Sequence, residues 1–258
     1  MSGSVEYAAD GRIGRLTFDN PSRLNAMTLG MWRDLAVVAG RVASDPDVRV
    51  LVVTGAGDRA FVSGSDISGF GADRNTEAAA DAYGKAVSDG LDALARLEKP
   101  TIAVIGGACI GGGLSIAAAC DLRLAARNSV FAVPAARIGV GYAPGQVTRL
   151  QRLIGPARLR ELIYTARKVG AEEAQGWGLL NEVLDPEILH DRVAELATDI
   201  SGLAPLTQQA AKLASLATER EVPVGTAQEA VDRCFGSEDY REGQAAFREK
   251  RPPDFSGR

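Results

Sequence analysis

The spacing of apolar and polar positions changes along the chain, from strand-like in the first half to helical in the last third. Residues 4–18 carry apolar strand positions at Ile13, Leu16 and Phe18 around Ala9-Asp10-Gly11, which predicts a hairpin of two short strands. Asn20-Pro21 then breaks the chain. Thr28 can cap a helix over 29–43, where Trp32, Leu35, Ala36, Ala39 and Val42 recur at helical spacing. Residues 48–54, VRVLVVT, form a continuous β-branched run ending at Gly55, the pattern of a parallel-sheet strand buried on both faces. From Gly55 to Asn75 the chain is rich in Gly and Ser around the apolar insert Ala60-Phe61-Val62, and reads as a functional loop. A helix is expected over 76–97, and a second buried strand, TIAVI, over 101–105. Gly111-Gly112-Gly113 opens an Ala-rich segment that leads into a third strand candidate, DLRLAA. Beyond residue 150, PARLRELIYTA, AEEAQGW, DPEILHDRVAELATDI, APLTQQAAKLASLA and a segment near 237–249 are all helical in pattern. The fold class read from these elements is α/β with a helical last third.

With 258 residues, 46% hydrophobic and 24% charged, the chain suits one large or two small globular domains and excludes a disordered, collagenous or coiled-coil protein. Lys plus Arg number 29 and Asp plus Glu 33, a net charge of −4 with no run of either sign, so no nucleic-acid partner is expected. Cys109, Cys120 and Cys234 are odd in number and too far apart for a CxxC pair, which argues against a disulfide framework or a thiolate zinc site and for a reducing compartment. Neither a signal peptide nor 18 continuous apolar residues is present, so a cytoplasmic protein without a membrane partner is expected. The single histidine, His190, lies on a helical stripe with Ile188, Leu189, Val193 and Leu196 and reads as a helix-surface residue. A histidine-based metal site or hydrolase triad would rest on it alone, and no metal site is expected.

Two glycine loops carry the candidate chemistry. The run Gly106–Gly113, GGACIGGG, lacks the Lys-Ser/Thr of a phosphate loop and the register of a dinucleotide fingerprint. It serves either as a tight strand-to-helix turn or as an oxyanion site, because glycines opening a helix present unpaired N–H groups at the positive end of its dipole. The second loop, Phe61-Val62-Ser63-Gly64-Ser65-Asp66-Ile67, also follows a strand, with Asp66 placed to cap a short helix. Loops at one end of a parallel sheet open on a common crevice, so N–H groups of both could converge on one carbonyl oxygen; an ordinary loop is the alternative.

LTFDNPSRLNAMT (16–28), AFVSGSDI (60–67), CIGGGLSIAAACDLRLA (109–125), FAVPAARIGVGYAPGQVTRL (131–150) and AFREKRPPDF (246–255) together resemble the enoyl-CoA hydratase/isomerase, or crotonase, superfamily, in its order and over nearly the whole chain. The resemblance implies a crotonase-like ββα spiral core over residues 1–200 that binds acyl-CoA, and a helical C-terminal part, 201–258, that makes homotrimers or hexamers. It implies a coenzyme A thioester as substrate, with no permanently bound cofactor. The thioester oxygen would accept from the backbone N–H groups of Ser65 and Gly112. Arg23 would lie near the coenzyme A phosphates, with Leu24 beside it; an exposed loop arginine is the alternative. Ala60, Ser63, Asp66 and Ile67 would line the cofactor, although Asp66 reads more simply as a loop or cap residue. Phe247 and Lys250 would close a neighbouring subunit's site, with a solvated tail lysine as the alternative for Lys250.

The chain departs from the family pattern where hydration needs a glutamate pair: those positions hold Ser115 and Ala135. Serine has no useful basicity and alanine no functional group, so efficient hydration by the usual mechanism is not expected. Tyr142, in a GVxY stretch resembling family members that decarboxylate short acyl-CoAs, can donate a hydrogen bond or hold a carboxylate, or else it simply packs beside the pocket. Those decarboxylases often carry a histidine where Ser65 stands. Asp73, Glu77 and Asp81 could present a carboxylate, or form a solvated helix start. Three functions therefore stand: an enolate-stabilising lyase or isomerase of the hydratase type, an acyl-CoA decarboxylase of the methylmalonyl-CoA type, and an acyl-CoA binder without turnover.

Overall fold

Pairs of strands followed by a helix repeat along the first 165 residues of the computed structural model, which describes residues 3–66 and 75–258. The chain enters through β1 (Ser4–Asp10) and β2 (Ile13–Asp19), an antiparallel hairpin. Its turn is Gly11-Arg12, slightly later than the pattern suggested, because Gly11 supplies the positive φ of 54°. Helix α1 (Leu29–Ser44) starts where Thr28 Oγ1 accepts the Met31 N–H at 3.2 Å, as its capping position requires. Three repeats follow: β3 (Val50–Gly55), β4 (Ala60–Val62) and α2 (Glu77–Ala95); β5 (Thr101–Ile105), β6 (Ala108–Ile110) and α3 (Gly112–Ala119); β7 (Leu122–Ala126), β8 (Val130–Ala132) and α4 (Pro144–Thr165). The chain continues through β9 (Val169–Gly170), α5 (Ala171–Gly176), β10 (Glu182–Leu184), α6 (Pro186–Gly202), α7 (Pro205–Thr218), α8 (Val224–Gly236) and α9 (Glu238–Glu249).

The first strand of every repeat joins one sheet, of order β1-β2-β3-β5-β7-β10, and the second joins another, of order β4-β6-β8-β9. Each repeat therefore turns once between two parallel stacks, which is the ββα spiral the sequence led us to expect. The continuous apolar run of β3 is explained by what lies on either side of it. Leu51 and Val53 face the main core with Trp32, Leu35 and Phe61, whereas Val50 and Val52 face a smaller cluster with Leu189, Val193 and Ala197 of α6. Burying such side chains stabilises the fold by roughly 1.5–3 kcal/mol each. After α6 the chain forms a separate apolar cluster, in which Ala210 and Leu213 of α7 meet Ala227 and Ala230 of α8. Among the described residues no helix is long and apolar enough to cross a membrane.

Stacking the repeats places the ends of β4 and β6 side by side. Gly113, in the first turn of α3, makes this possible: a Cβ there would lie 2.0 Å from the Val62 carbonyl oxygen, so only glycine lets the helix seat directly on β4.

Candidate active site

The loop after β4 is pinned by Met27. The Met27 N–H donates to Gly64 O at 2.8 Å and the Asp66 N–H donates to Met27 O at 2.8 Å, so the intervening Ser65 N–H points away from this pairing. Gly64 takes a φ of 115°, which turns the chain at that point. Opposite, Gly112 is the first residue of α3, and its N–H has no acceptor within the helix. A Cβ on Gly112 would lie 3.7 Å from the Gly64 carbonyl carbon and 3.0 Å from Trp32 Cζ2, so the two loops are in contact over the buried indole. Both open on a cavity of about 570 Å³ whose wall includes Arg23, Ser65, Asp66, Gly112, Tyr142 and Gln146. Among the described wall residues, charge is confined to Arg23 and Asp66.

Ser115 and Tyr142 meet at this site. Their oxygens lie 2.6 Å apart, Tyr142 Oη donates to Gly111 O at 2.8 Å, and Gln146 Nε2 donates to Ser115 Oγ at 3.0 Å. Burial pushes the Tyr142 phenol well above its usual pKa, an effect only partly opposed by the bond to Ser115. The hydroxyl therefore acts as a hydrogen-bond donor, not as a titrating base. Ala135 is buried on the same wall. Cys109 in β6 is buried beside the site, and burial holds its thiol well above the usual value, so it carries no thiolate.

The other expected contacts divide. Arg23 is exposed at the cavity mouth, where Ser63 holds its turn: Ser63 Oγ donates to Arg23 O at 3.1 Å and the Ser63 N–H donates to Leu24 O at 3.1 Å. Leu24 and Ser63 also line an adjoining groove with the basic residues Arg59 and Lys168. Ala60 is not on the cavity wall; it is buried in β4, and its carbonyl accepts from Asn25 Nδ2 at 2.8 Å. Ile67 and Asp73 lie outside the described residues, and Glu77 and Asp81 are exposed in α2. Phe247, in α9, and Lys250, just beyond it, are exposed and do not reach the cavity of their own chain. His190 is exposed on α6, as its helical stripe suggested. Among the described residues no cluster of three or more His, Cys, Asp or Glu is arranged to hold a metal ion.

Sequence reasoning missed Gln146, Asn25 and Trp32 as parts of the site. Asn25 is buried, adopts φ 57°, accepts from the Asn20 N–H and donates to Ala56 O and Ala60 O, and so ties the Arg23 turn to β4. Asparagine tolerates that left-handed conformation better than most residues, and this was the available signal.

The enoyl-CoA hydratase/isomerase family model matches residues 8–258. The chain is 33% identical over 251 residues to a short-chain-enoyl-CoA hydratase of Clostridium acetobutylicum, covering 96% of this chain and 95% of that protein. It is 35% identical over 266 residues to the carnitinyl-CoA dehydratase of Escherichia coli, covering 100% of both. A solved structure of an enoyl-CoA hydratase/carnithine racemase from Magnetospirillum magneticum superposes with a TM-score of 0.91 at 34% identity, covering 98% of this chain and 96% of that one. With the fold and the sequence agreeing over nearly its full length, the chain belongs to the enoyl-CoA hydratase/isomerase family, within the crotonase superfamily.

Proposed function

We propose that the cavity binds an acyl-CoA with its thioester oxygen between the Ser65 and Gly112 N–H groups and stabilises the enolate formed there. The apposition of the β4 and β6 loops carries this reading, because it brings the Ser65 and Gly112 backbones to the wall of one cavity. Charge grows on the oxygen as the enolate forms, so fixed donors favour the transition state over the ground state, and losing one typically costs about 10² to 10³ in rate. The relatives named as acting on enoyl-CoA and carnitinyl-CoA support a coenzyme A ester as substrate. Arg23 and Ser63, with Leu24 in the adjoining groove, sit where the nucleotide end would leave the cavity, and Arg59 and Lys168 add positive charge for its phosphates. Phe247 and Lys250 would serve a neighbouring copy. The exposed aromatic rings of Phe235, Tyr240 and Phe247 on α8 and α9 support a trimer or hexamer, with three or six subunits expected by sedimentation and a clean monomer counting against it.

The absence of glutamate at Ser115, buried against Tyr142, and at Ala135 on the wall favours a second reading, decarboxylation. Cleavage of a carbon–carbon bond delivers the electron pair to the thioester without a base, and only protonation of the enolate remains. Turnover of crotonyl-CoA and of methylmalonyl-CoA separates the two reactions. Calorimetric binding of both esters without turnover of either would mark a binder. Gly112→Pro removes one donor and is expected to abolish turnover; a folded variant with unchanged turnover would sink the assignment.

A further inference from the structure

On the wall where the family pattern places acid and base, this chain has a line of neutral hydrogen-bonding groups whose direction can be worked out atom by atom. The Ala143 N–H can only donate, and it donates to Gln146 Oε1 at 3.1 Å. The other end of that amide, Nε2, is therefore a donor, and it faces Ser115 Oγ at 3.0 Å. Ser115 Oγ lies 2.6 Å from Tyr142 Oη, and Tyr142 Oη lies 2.8 Å from Gly111 O. The direct route from Ser115 Oγ to Gly111 O is longer, 3.4 Å. The proton order that satisfies the short distances is thus Gln146 to Ser115, Ser115 to Tyr142, and Tyr142 to Gly111 O. Gly111 O also accepts the Ser115 N–H at 3.1 Å, so both of its lone pairs are used.

The Gly111 carbonyl and the Gly112 N–H belong to one peptide group. Drawing electron density onto that carbonyl oxygen makes the attached N–H a stronger donor, and a second bond fixes the plane of a peptide that follows Gly111 at φ 53°, ψ −110°. We infer that Gln146, Ser115 and Tyr142 form a directional relay that orients and polarises the Gly111–Gly112 peptide, making its N–H the stronger partner of a thioester oxygen. The relay rests on the acyl-CoA reading for its purpose. It makes Tyr142 and Gln146 positioning residues, with the Tyr142 proton committed to Gly111 O.

Cooperative strengthening of about 10–30% per bond, applied to a donor whose loss costs about two to three decades of rate, amounts to roughly 0.2 to 0.9 decades, or about 1.6- to 8-fold. Tyr142→Phe removes the terminal donor. Gln146→Glu keeps the shape of the side chain but accepts only, so the Ser115 hydroxyl turns to it, the Tyr142 hydroxyl turns to Ser115, and Gly111 O loses its short bond. Two signals test this in intact protein: the amide proton shift of Gly112 in glycine-labelled protein, and the carbonyl ¹³C shift of bound acetyl-CoA labelled at the thioester carbon. Both variants are expected to move the Gly112 amide upfield and the bound carbonyl back towards its free value, with the dissociation constant within about threefold. A packing role for Tyr142 leaves only the through-space effect of the carboxylate introduced by Gln146→Glu, which persists unchanged when that substitution is added to Tyr142→Phe, whereas a relay makes the two substitutions non-additive. Unchanged signals in both folded variants would overturn the relay while leaving acyl-CoA binding in place. Movement of the Gly112 amide in both variants, in a protein that binds no acetyl-CoA, would leave the relay standing and remove the acyl-CoA reading.

Discussion

Adding one methyl group at Gly113 tests whether the seat of α3 on β4 sets the spacing of the two donors. A Cβ there meets Val62 O at 2.0 Å, Val62 C at 2.9 Å and Val62 Cβ at 2.9 Å. Carbon and carbonyl oxygen approach to about 3.3 Å at best, so the helix start and the strand must separate by about 1.3 Å. The partner is backbone of β4, the edge strand of its sheet, held on one side by pairing with β6 and just beyond its end by the Met27 bridge, so rotation of α3 away from β4 is the way to relieve the contact. Overpacking of this kind destabilises by about 1–3 kcal/mol, which for a chain of this length lowers the melting temperature by about 2–12 °C. Because Gly112 precedes this residue and Ser65 follows Val62 by three, the same displacement pulls the two N–H groups apart. A misplacement of about 1 Å costs on the order of 10² in rate. Gly113→Ala is therefore expected to lose about a hundredfold in turnover of whichever coenzyme A ester the wild type uses, with a lowered melting temperature by calorimetry. A folded variant with the wild-type melting point and turnover within threefold would refute the argument that this contact spaces the donors.

Gly40, exposed within α1, has nothing within 4 Å of a built Cβ, so Gly40→Ala should raise stability by about 0.5–1 kcal/mol in urea unfolding; a loss would contradict that geometry. Asn25→Ala strands the Asn20 N–H and the Ala56 and Ala60 carbonyls and places alanine at positive φ, so a loss of about 2–4 kcal/mol is expected, and a change under 1 kcal/mol would show that water replaces these bonds. Bonds from Arg251 and the Asp254 N–H pull Glu242 down to about 2, so its contribution to stability is complete above about pH 4.5 and is lost as pH falls towards 2. The difference in acid unfolding between wild type and Glu242→Gln should accordingly be constant above pH 4.5 and shrink below it; a difference that grows on acidification would reverse the sign. Ser115→Glu with Ala135→Glu supplies the missing carboxylates, one at a buried position bonded to the wall residues Tyr142 and Gln146 and one on the wall itself, and should raise crotonyl-CoA hydration at least tenfold in a folded variant, since acid–base groups contribute about 10²–10⁴; rapid hydration by wild type would remove the premise.

Legibility in the sequence followed side-chain size and segment length. The runs VRVLVVT and TIAVI announced β3 and β5 because their β-branched residues are buried on both faces, and Thr28 announced α1 because its hydroxyl caps Met31. The second strand of each repeat was harder to see. β4, β6 and β8 have three residues each, too few for alternation to register, and β6 lies inside a glycine run that reads as a turn. Helix α8 went unrecognised although its pattern is amphipathic: it opens on Pro223-Val224-Gly225, which reads as a turn, and the residues it buries are alanines, Ala227 and Ala230. The first half of α4 was hidden by Pro144-Gly145 at its start and by the break at Gly155-Pro156, where φ is 74°. In the site, the meeting of the two glycine loops at one cavity was legible, but pairing Ser115 with Tyr142 and Gln146 needed contacts between residues 27 and 31 positions apart. No local pattern encodes such a contact.

The two halves of this site differ in how sequence change can reach them. The proposed donors at Ser65 and Gly112 are backbone groups whose positions follow from the parallel pairing of β4 with β6 and from the Met27 bridge. Most substitutions at residue 65 leave its N–H in place, so only changes that move the chain abolish this half. The other half consists of side chains on α3, on the turn after β8 and at the start of α4, and each can be exchanged without disturbing the spiral. Here those positions hold a serine, an alanine, a tyrosine and a glutamine, all neutral. A neutral wall imposes no like-charge repulsion on an enolate or on a substrate carboxylate, whereas two buried carboxylates would. The same wall offers little to a reaction that begins by removing a proton from carbon or activating water, which requires a base. On the proposed acyl-CoA reading, this composition therefore favours chemistries in which the electron pair comes from a breaking bond of the substrate itself, with the relay acting only to sharpen the donor that receives the charge.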